Sequence, residues 1–307
     1  MAVAKLDSNN ISEIEAKRPS NSLWATARRR LARDYLTITA MVILAILTVL
    51  SFSEPIISDM LGVNYTSTSQ DVRFLPIGAE GHILGTDNLG RDMAARLLRG
   101  GQISITVGTV TAVMSMILGV SIGLVAGFYQ GGALSFVDDF IMWFVTTLNS
   151  IPTLLLLILL TSVLRPSITV LIGVLVFVSW SRMMRLIRGE TIALRENEYV
   201  LSAKAIGASD IRVMFTHILP NTLSILITTL AIEVGTLILV ESALSFLGLG
   251  VQPPESSWGN MLTEAQSYFQ QAPHMSILPG VFIVITVLST YLIGDGLRDA
   301  LDPRTKE

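Results

Sequence analysis

Six stretches of this chain contain no Asp, Glu, Lys or Arg: residues 35–53, 100–137, 140–164, 166–181, 213–232 and 265–294. A helix needs about 20 apolar residues to cross the ~30 Å hydrocarbon core of a bilayer. These gaps approach or exceed that length, and a soluble core has no use for six of them. Charged residues make up only 15% of the 307 positions, against about a quarter in soluble domains. Together these features exclude an ordinary cytosolic enzyme, a disordered chain and a nucleic-acid binder. Cysteine is absent, which removes disulfides, thiolate metal sites and thiol nucleophiles.

The runs exceed the 9–11 residues of a barrel strand and lack its alternation, so helix is the expected spanning state. A polar N-terminal segment, 1–34, ends in Arg28, Arg29, Arg30 and Arg33 and leads into a first transmembrane helix at 35–53. That run is too long and too late for a cleaved secretory signal. A loop, 54–102, separates it from a five-helix core at 103–298. Its spans are expected at about 103–127, 137–164 (carrying Pro152), 167–188, 218–246 and 276–296. Within this core lie a polar loop at 189–217 and a Gly/Pro-rich segment at 248–275, and a short tail, 299–307, follows. The expected fold is an all-α integral membrane bundle of six transmembrane helices in a lipid bilayer.

Orientation follows from Lys and Arg near the helix ends, which favour the cytoplasmic side. With the N-terminus inside, the inner segments hold seven (1–34), six (182–212) and three (298–306) such residues. The outer segments hold five: Arg73, Arg91, Arg96, Arg99 and Arg165. Both termini are therefore expected in the cytoplasm. The Arg91–Arg99 group resists this assignment and is partly offset by Asp87 and Asp92.

Several motifs carry chemistry or imitate it. Gly119, Gly123 and Gly127 form a small-residue stripe that lets another helix approach closely, in this chain or in another subunit. The same stretch fits G-x-S-x-G around Ser121. A hydrolase elbow needs a strand–turn–helix with a histidine and an acid nearby, and a mid-span serine has none of these. No Gly-Lys dipeptide and no H-E-x-x-H occur, so any ATP must be bound by another polypeptide. No catalytic residue and no metal site is expected. Glu233 and Glu241 lie in the fifth span, where an ionisable group suggests function. They are candidates for the substrate path; a structural role suits Glu233 equally and suits Glu241 better. Asp138 and Asp139 complement the start of the third helix, and Arg182, Arg185 and Arg188 read as anchors where the fourth leaves the membrane. In 189–217 a short helix from Glu198 to Ile206, closed by Gly207, suits either docking to a cytoplasmic partner or a solvated connector. A stand-alone secondary transporter, with Glu233 as an ion site, would show inverted repeats.

At this loop the sequence resembles the permease subunits of bacterial ABC importers. Their signature is E-A-A, three residues, G, nine residues, I-x-L-P. Ala203, Gly207, Leu219 and Pro220 match it, while Leu201 and Ser202 replace the Glu and first Ala, and His217 stands at the Ile position. The run His217-Ile-Leu-Pro-Asn221 is similar to the dipeptide/oligopeptide/nickel branch, as are Leu84–Asp92, Leu244–Pro254, Ser257–Leu262 and Gly294–Pro303. The set resembles the "C" type, or second, permease of that branch. Trp143 and Thr146 depart from the Arg and Asp common there.

The resemblance implies a type I importer-like permease forming half of a translocation path for di- and oligopeptides. Nickel complexes, glutathione or oligosaccharides are alternative cargoes within the family. Implied partners are a homologous second permease, two cytoplasmic ABC ATPase subunits that carry ATP and Mg, and an extracytoplasmic solute-binding protein. The chain itself is expected to bind no cofactor. Glu198, Tyr199, Ser202, Ala203, Lys204 and Gly207 would form a coupling helix against an ATPase. The implied location is a bacterial or archaeal inner or plasma membrane.

Overall fold

A computed structural model describes residues 23–302 apart from positions 133 and 166; the segment 1–22, Pro166 at the expected opening of the fourth span, and the tail from 303 lie outside the described residues. Regular elements among the described residues are helical. In chain order they are α1 (Leu23–Leu31), α2 (Tyr35–Phe52), α3 (Glu54–Leu61), α4 (Met93–Tyr129), α5 (Ser135–Asn149), α6 (Thr153–Val163) and α7 (Ile168–Arg195). There follow α8 (Glu198–Ala205), α9 (Asp210–Phe246), α10 (Trp258–Ala265) and α11 (His274–Leu301). Helices α2, α4, α7, α9 and α11 are each long and apolar enough to cross a bilayer alone, and α5 with α6 supplies a sixth, bent crossing.

Close approaches fix the direction of each helix. Gly119, Gly123 and Gly127 meet successive turns of α7. A Cβ at these positions would stand 2.7 Å from the Trp180 carbonyl oxygen, 2.6 Å from that of Met184 and 2.6 Å from that of Arg188. Sequence number rises together on both helices, so α4 and α7 are parallel. Helix α9 runs against α4, since Gly108 abuts Ile238 and Ser104 bonds Glu241. Helix α11 reverses again, with Gly235 against Thr290 and Gly294 against Ile232. Helix α2 lies beside α11, with Thr37 against Gly296. One end of the bundle, the base, therefore gathers residues near 35, 129, 195–218 and 301. The other end, the cap, gathers 53–93, 163–168 and 246–274.

Local chemistry explains the element ends. Asp34 accepts hydrogen bonds from the N–H groups of Leu36 and Thr37 and caps α2. The Thr37 hydroxyl and N–H hold the Asp34 carboxyl below its usual value. Ser257 and Asn260 form a reciprocal capping box at α10. The core divides into apolar clusters along the bundle. Leu97, Ile238, Trp258 and Met275 meet at the cap end, whereas Leu124, Phe128, Ile187, Val213 and Ile218 meet at the base.

Four boundaries differ from the sequence expectation, the first being the start of α4 at Met93, well ahead of the expected 103. The third crossing is not one helix: α5 and α6 bend by 84° across Ser150–Pro152. Proline has no N–H and disfavours helix in the residue before it, and here the chain breaks instead of kinking. Helix α7 runs to Arg195, well beyond the expected exit near 188. Helix α9 starts at Asp210, ahead of Pro220, through a π-helical turn at Val213–Ile218. The wider turn lets the helix absorb a residue that cannot donate a hydrogen bond.

Candidate functional site

The break between α5 and α6 opens a polar cavity of about 210 Å³ halfway along the bundle. Irregular backbone at membrane depth is tolerated where it is buried in protein or lines a water-filled space. Here Asn149 at the end of α5 and Thr153 at the start of α6 both line the cavity. Ser181, Arg182 and Arg185 enter from α7, and Glu233 and Thr236 from α9. An Arg182 Nη1 donates to Glu233 Oε2 at 3.1 Å, tying α7 to α9. The arginine side chain is 63% exposed and the carboxylate 9%, so the pair has one open side.

Glu241 lies apart from this cavity. Its carboxylate is fully buried and accepts hydrogen bonds from the hydroxyls of Ser104 at 2.8 Å, Ser245 at 2.7 Å and Ser242 at 3.4 Å. Ser104 also accepts from the Trp258 N–H at 3.3 Å. Glu241 thus joins α4, α9 and α10. Helix α7 continues past Arg182, Arg185 and Arg188, and two of these arginines have carboxylate partners on neighbouring helices. Arg188 makes a two-pronged bond to buried Asp138, with both N–O distances 2.6 Å. That pair fixes the start of α5 to α7. Ser121 is exposed, and its hydroxyl donates to the Ile117 carbonyl of its own helix. His82 and His274 sit at the opposite, cap end, on Asp92 and the Thr86 carbonyl.

The loop at the base is built on rigid supports. Helix α8 buries Val200 and Ala203 against the bundle, while Glu198, Tyr199, Ser202, Lys204 and Gly207 are exposed. The Lys204 ammonium sits 4.2 Å from the centre of the Phe128 ring on α4. Gly207 has φ +91°, a left-handed conformation that glycine adopts without penalty. Its N–H donates to Lys204 O, and that of Ala208 to Ala203 O, closing the helix. Arg195 secures the entry to the loop by donating to the carbonyls of Gly127 and Phe128, both at 3.2 Å. Exposed Tyr199, Leu201, Ile206, Ile211 and Phe215 make the outer surface apolar. The loop's composition is mixed, so the sequence alone does not show which of its apolar residues turn outward.

At the cap end, residues that sequence reasoning left unassigned form a buried ion cluster. Asp87 accepts from Arg91 Nε at 2.6 Å and from Arg96 Nη1 at 2.5 Å. Glu264 on α10 accepts from both arginines as well. Asp87 is fully buried and Arg96 is 2% exposed. Arg99 pairs with Glu255 at 2.9 and 3.0 Å. Arg91 and Arg96, which resisted the orientation rule, are therefore neutralised inside the protein, and Arg99 is paired at its edge. Among the described residues, no group of three or more His, Asp or Glu is placed to hold a metal ion.

Residues 119–307 match the family model of the binding-protein-dependent transport system inner membrane component. Curated relatives align along almost the whole chain. A putative peptide transport system permease protein of Brucella suis is 39% identical over 92% of both chains. The oligopeptide transport system permease protein of Bacillus subtilis is 34% identical over 94% of this chain and 92% of its own. A glutathione transport system permease protein of Pectobacterium atrosepticum is 35% identical over 92% of each. Among solved structures, the MetNI methionine ABC transporter in its inward-facing form resembles the fold, with a TM-score of 0.58 at 19% identity over 68% of this chain and 98% of that one. The bundle, its match to the family model and its aligned relatives together assign the chain to the binding-protein-dependent inner membrane components, the permease subunits of ABC importers.

Proposed function

We propose that this permease forms one half of a translocation path for di- and oligopeptides, coupled to separate ATPase subunits through α8. The observation that carries this reading is the pairing of an exposed apolar surface on α8 with a rigid base, held by Val200, Ala203, Arg195 and the Lys204–Phe128 contact. A short helix mounted so firmly transmits a push to α4 and α7 instead of yielding to it. Those helices are locked together by the glycine stripe and reach the cavity through Arg182. A force at the base therefore moves the walls of the cavity as a rigid body, the usual basis of alternating access.

In this scheme the base faces the cytoplasm with both termini, and the cap faces outward towards a solute-binding protein. Glu198, Tyr199, Ser202 and Lys204 contact an ATPase subunit, Ala203 seats the helix, and Gly207 allows its turn. ATP and Mg act on two partner ATPases, and a homologous second permease supplies the other wall of the path. Glu233 faces the cargo, whereas Glu241 holds the helices behind it. Peptide as cargo rests on relatives named for peptide transport. Glutathione, itself a small peptide, has a relative of comparable identity, and nickel complexes or oligosaccharides are weaker alternatives.

Reconstitution tests the reading. The complete transporter in liposomes should import a labelled peptide only with ATP and a loaded binding protein. Uptake by this chain alone, without ATP, would instead establish a secondary transporter.

A further inference from the structure

Beside the transport machinery, α2 and α11 enclose a groove with no assigned role. Its walls run from Tyr35 to Leu47 on α2 and from Ile285 to Leu292 on α11, around about 560 Å³ of almost wholly apolar space. Twelve residues of α-helix rise ~18 Å, close to the ~15 Å that one leaflet contributes to a ~30 Å core. The groove thus begins at the base and ends near the middle of the membrane. A partner's transmembrane helix would need a slot of full membrane depth and about 10 Å width. One acyl chain matches the observed length.

The chain that leads into the base end of the groove is basic. Arg28 and Arg29, in the last turn of α1, and Arg33, two residues before Tyr35, are exposed. Arg30 is used differently, since its Nη1 donates to the Asp302 carbonyl at 2.9 Å and docks α1 onto the end of α11. Asp34, the carboxylate next to this cluster in sequence, is engaged in capping α2. Tyr35, 83% exposed, stands at the rim, where aromatic residues favour the membrane–water boundary. Cations at headgroup level above an apolar slot one leaflet deep are complementary to a lipid with a negative head.

We propose that the junction of α1, α2 and α11 binds one anionic phospholipid, its acyl chain in the groove and its headgroup on Arg28, Arg29 and Arg33. Each basic side chain near an anionic membrane surface is worth about five-fold in affinity. The three together should supply a preference on the order of 100-fold.

The test uses the complete detergent-purified transporter, titrated with phosphatidylglycerol or phosphatidylcholine of identical chains and followed by native mass spectrometry. Phosphatidylglycerol should bind more tightly, and R28Q/R29Q/R33Q should erase the difference while R28K/R29K/R33K keeps it. Thr39→Trp, which fills the groove, should weaken both lipids alike. Equal affinity of the unaltered transporter for the two lipids would overturn the proposal, as would a photocross-linker at Ile43 reacting with the second permease instead of with lipid. Should the triple Gln variant fail to assemble, the two-lipid comparison and Thr39→Trp decide the question without it.

Discussion

The cap and the base of this molecule use charge in opposite ways. At the cap, Asp87, Arg91, Arg96 and Glu264 form a closed, buried cluster, and Arg99 is matched by Glu255. At the base, α8 buries Val200 and Ala203 and sets Lys204 on Phe128, while Glu198, Tyr199 and Leu201 are exposed. The cap closes its charges on one another, whereas the base, pinned by Arg188–Asp138 and Arg195, also presents an exposed surface. The cap is thus built to keep its shape, whereas the base is the part that the proposed scheme pushes. Between them, Arg182 and Glu233 are neither fully buried nor free, which fits the place the proposed path gives them.

That contrast predicts a ranking of mutational effects. The largest belongs to Asp87→Ala, which leaves Arg91 and Arg96 buried with Glu264 as their one remaining carboxylate. Removing a partner from a buried ion pair costs about 3–5 kcal/mol, so thermal stability and yield of the complex should fall sharply. A change as small as that of an exposed position would show that the cap does not depend on its charges. Next comes Gly123→Leu, whose side chain would meet the Met184 carbonyl and Ile187. Overpacking costs about 1–3 kcal/mol, and a lowered melting temperature is the expected reading. Arg99→Ala removes a partly exposed pair, worth at most about 1 kcal/mol, and should barely shift the melting curve. At the base, Tyr199→Ala should leave stability unaltered while reducing stimulated ATP hydrolysis in the assembled transporter.

The helices were legible because lipid excludes charge, and the gaps in charge mark where the chain meets it. The same logic does not mark where the fourth helix ends, because a helix can run on past its last apolar turn. Arg182 and Arg188 lie inside α7, where Glu233 and Asp138 on neighbouring helices neutralise them. A charge whose partner lies about 50 residues away looks unpaired along the chain. The break at Ser150–Pro152 escaped for a related reason, since both of its arms are apolar and leave one continuous gap. Glu233 and Glu241 could be singled out because a carboxylate in a span is conspicuous. The cavity beside Glu233 could not, because Asn149, Thr153 and Ser181 become neighbours only when the third crossing folds back. Arg91, Arg96 and Arg99 did signal themselves, as positive charges on the wrong side of the orientation rule, and their carboxylate partners explain the exception.

The central claim is that α8 carries force from the ATPases to the cavity, and Gly207→Pro tests it most directly. Proline fixes φ near −65° and lacks an N–H, whereas Gly207 has φ +91° and donates to Lys204. In the reconstituted transporter, with assembly checked by size-exclusion chromatography, basal ATP hydrolysis should persist. Peptide uptake, and the stimulation of hydrolysis by loaded binding protein, should both be lost. Normal uptake in an intact Gly207→Pro complex would contradict the account.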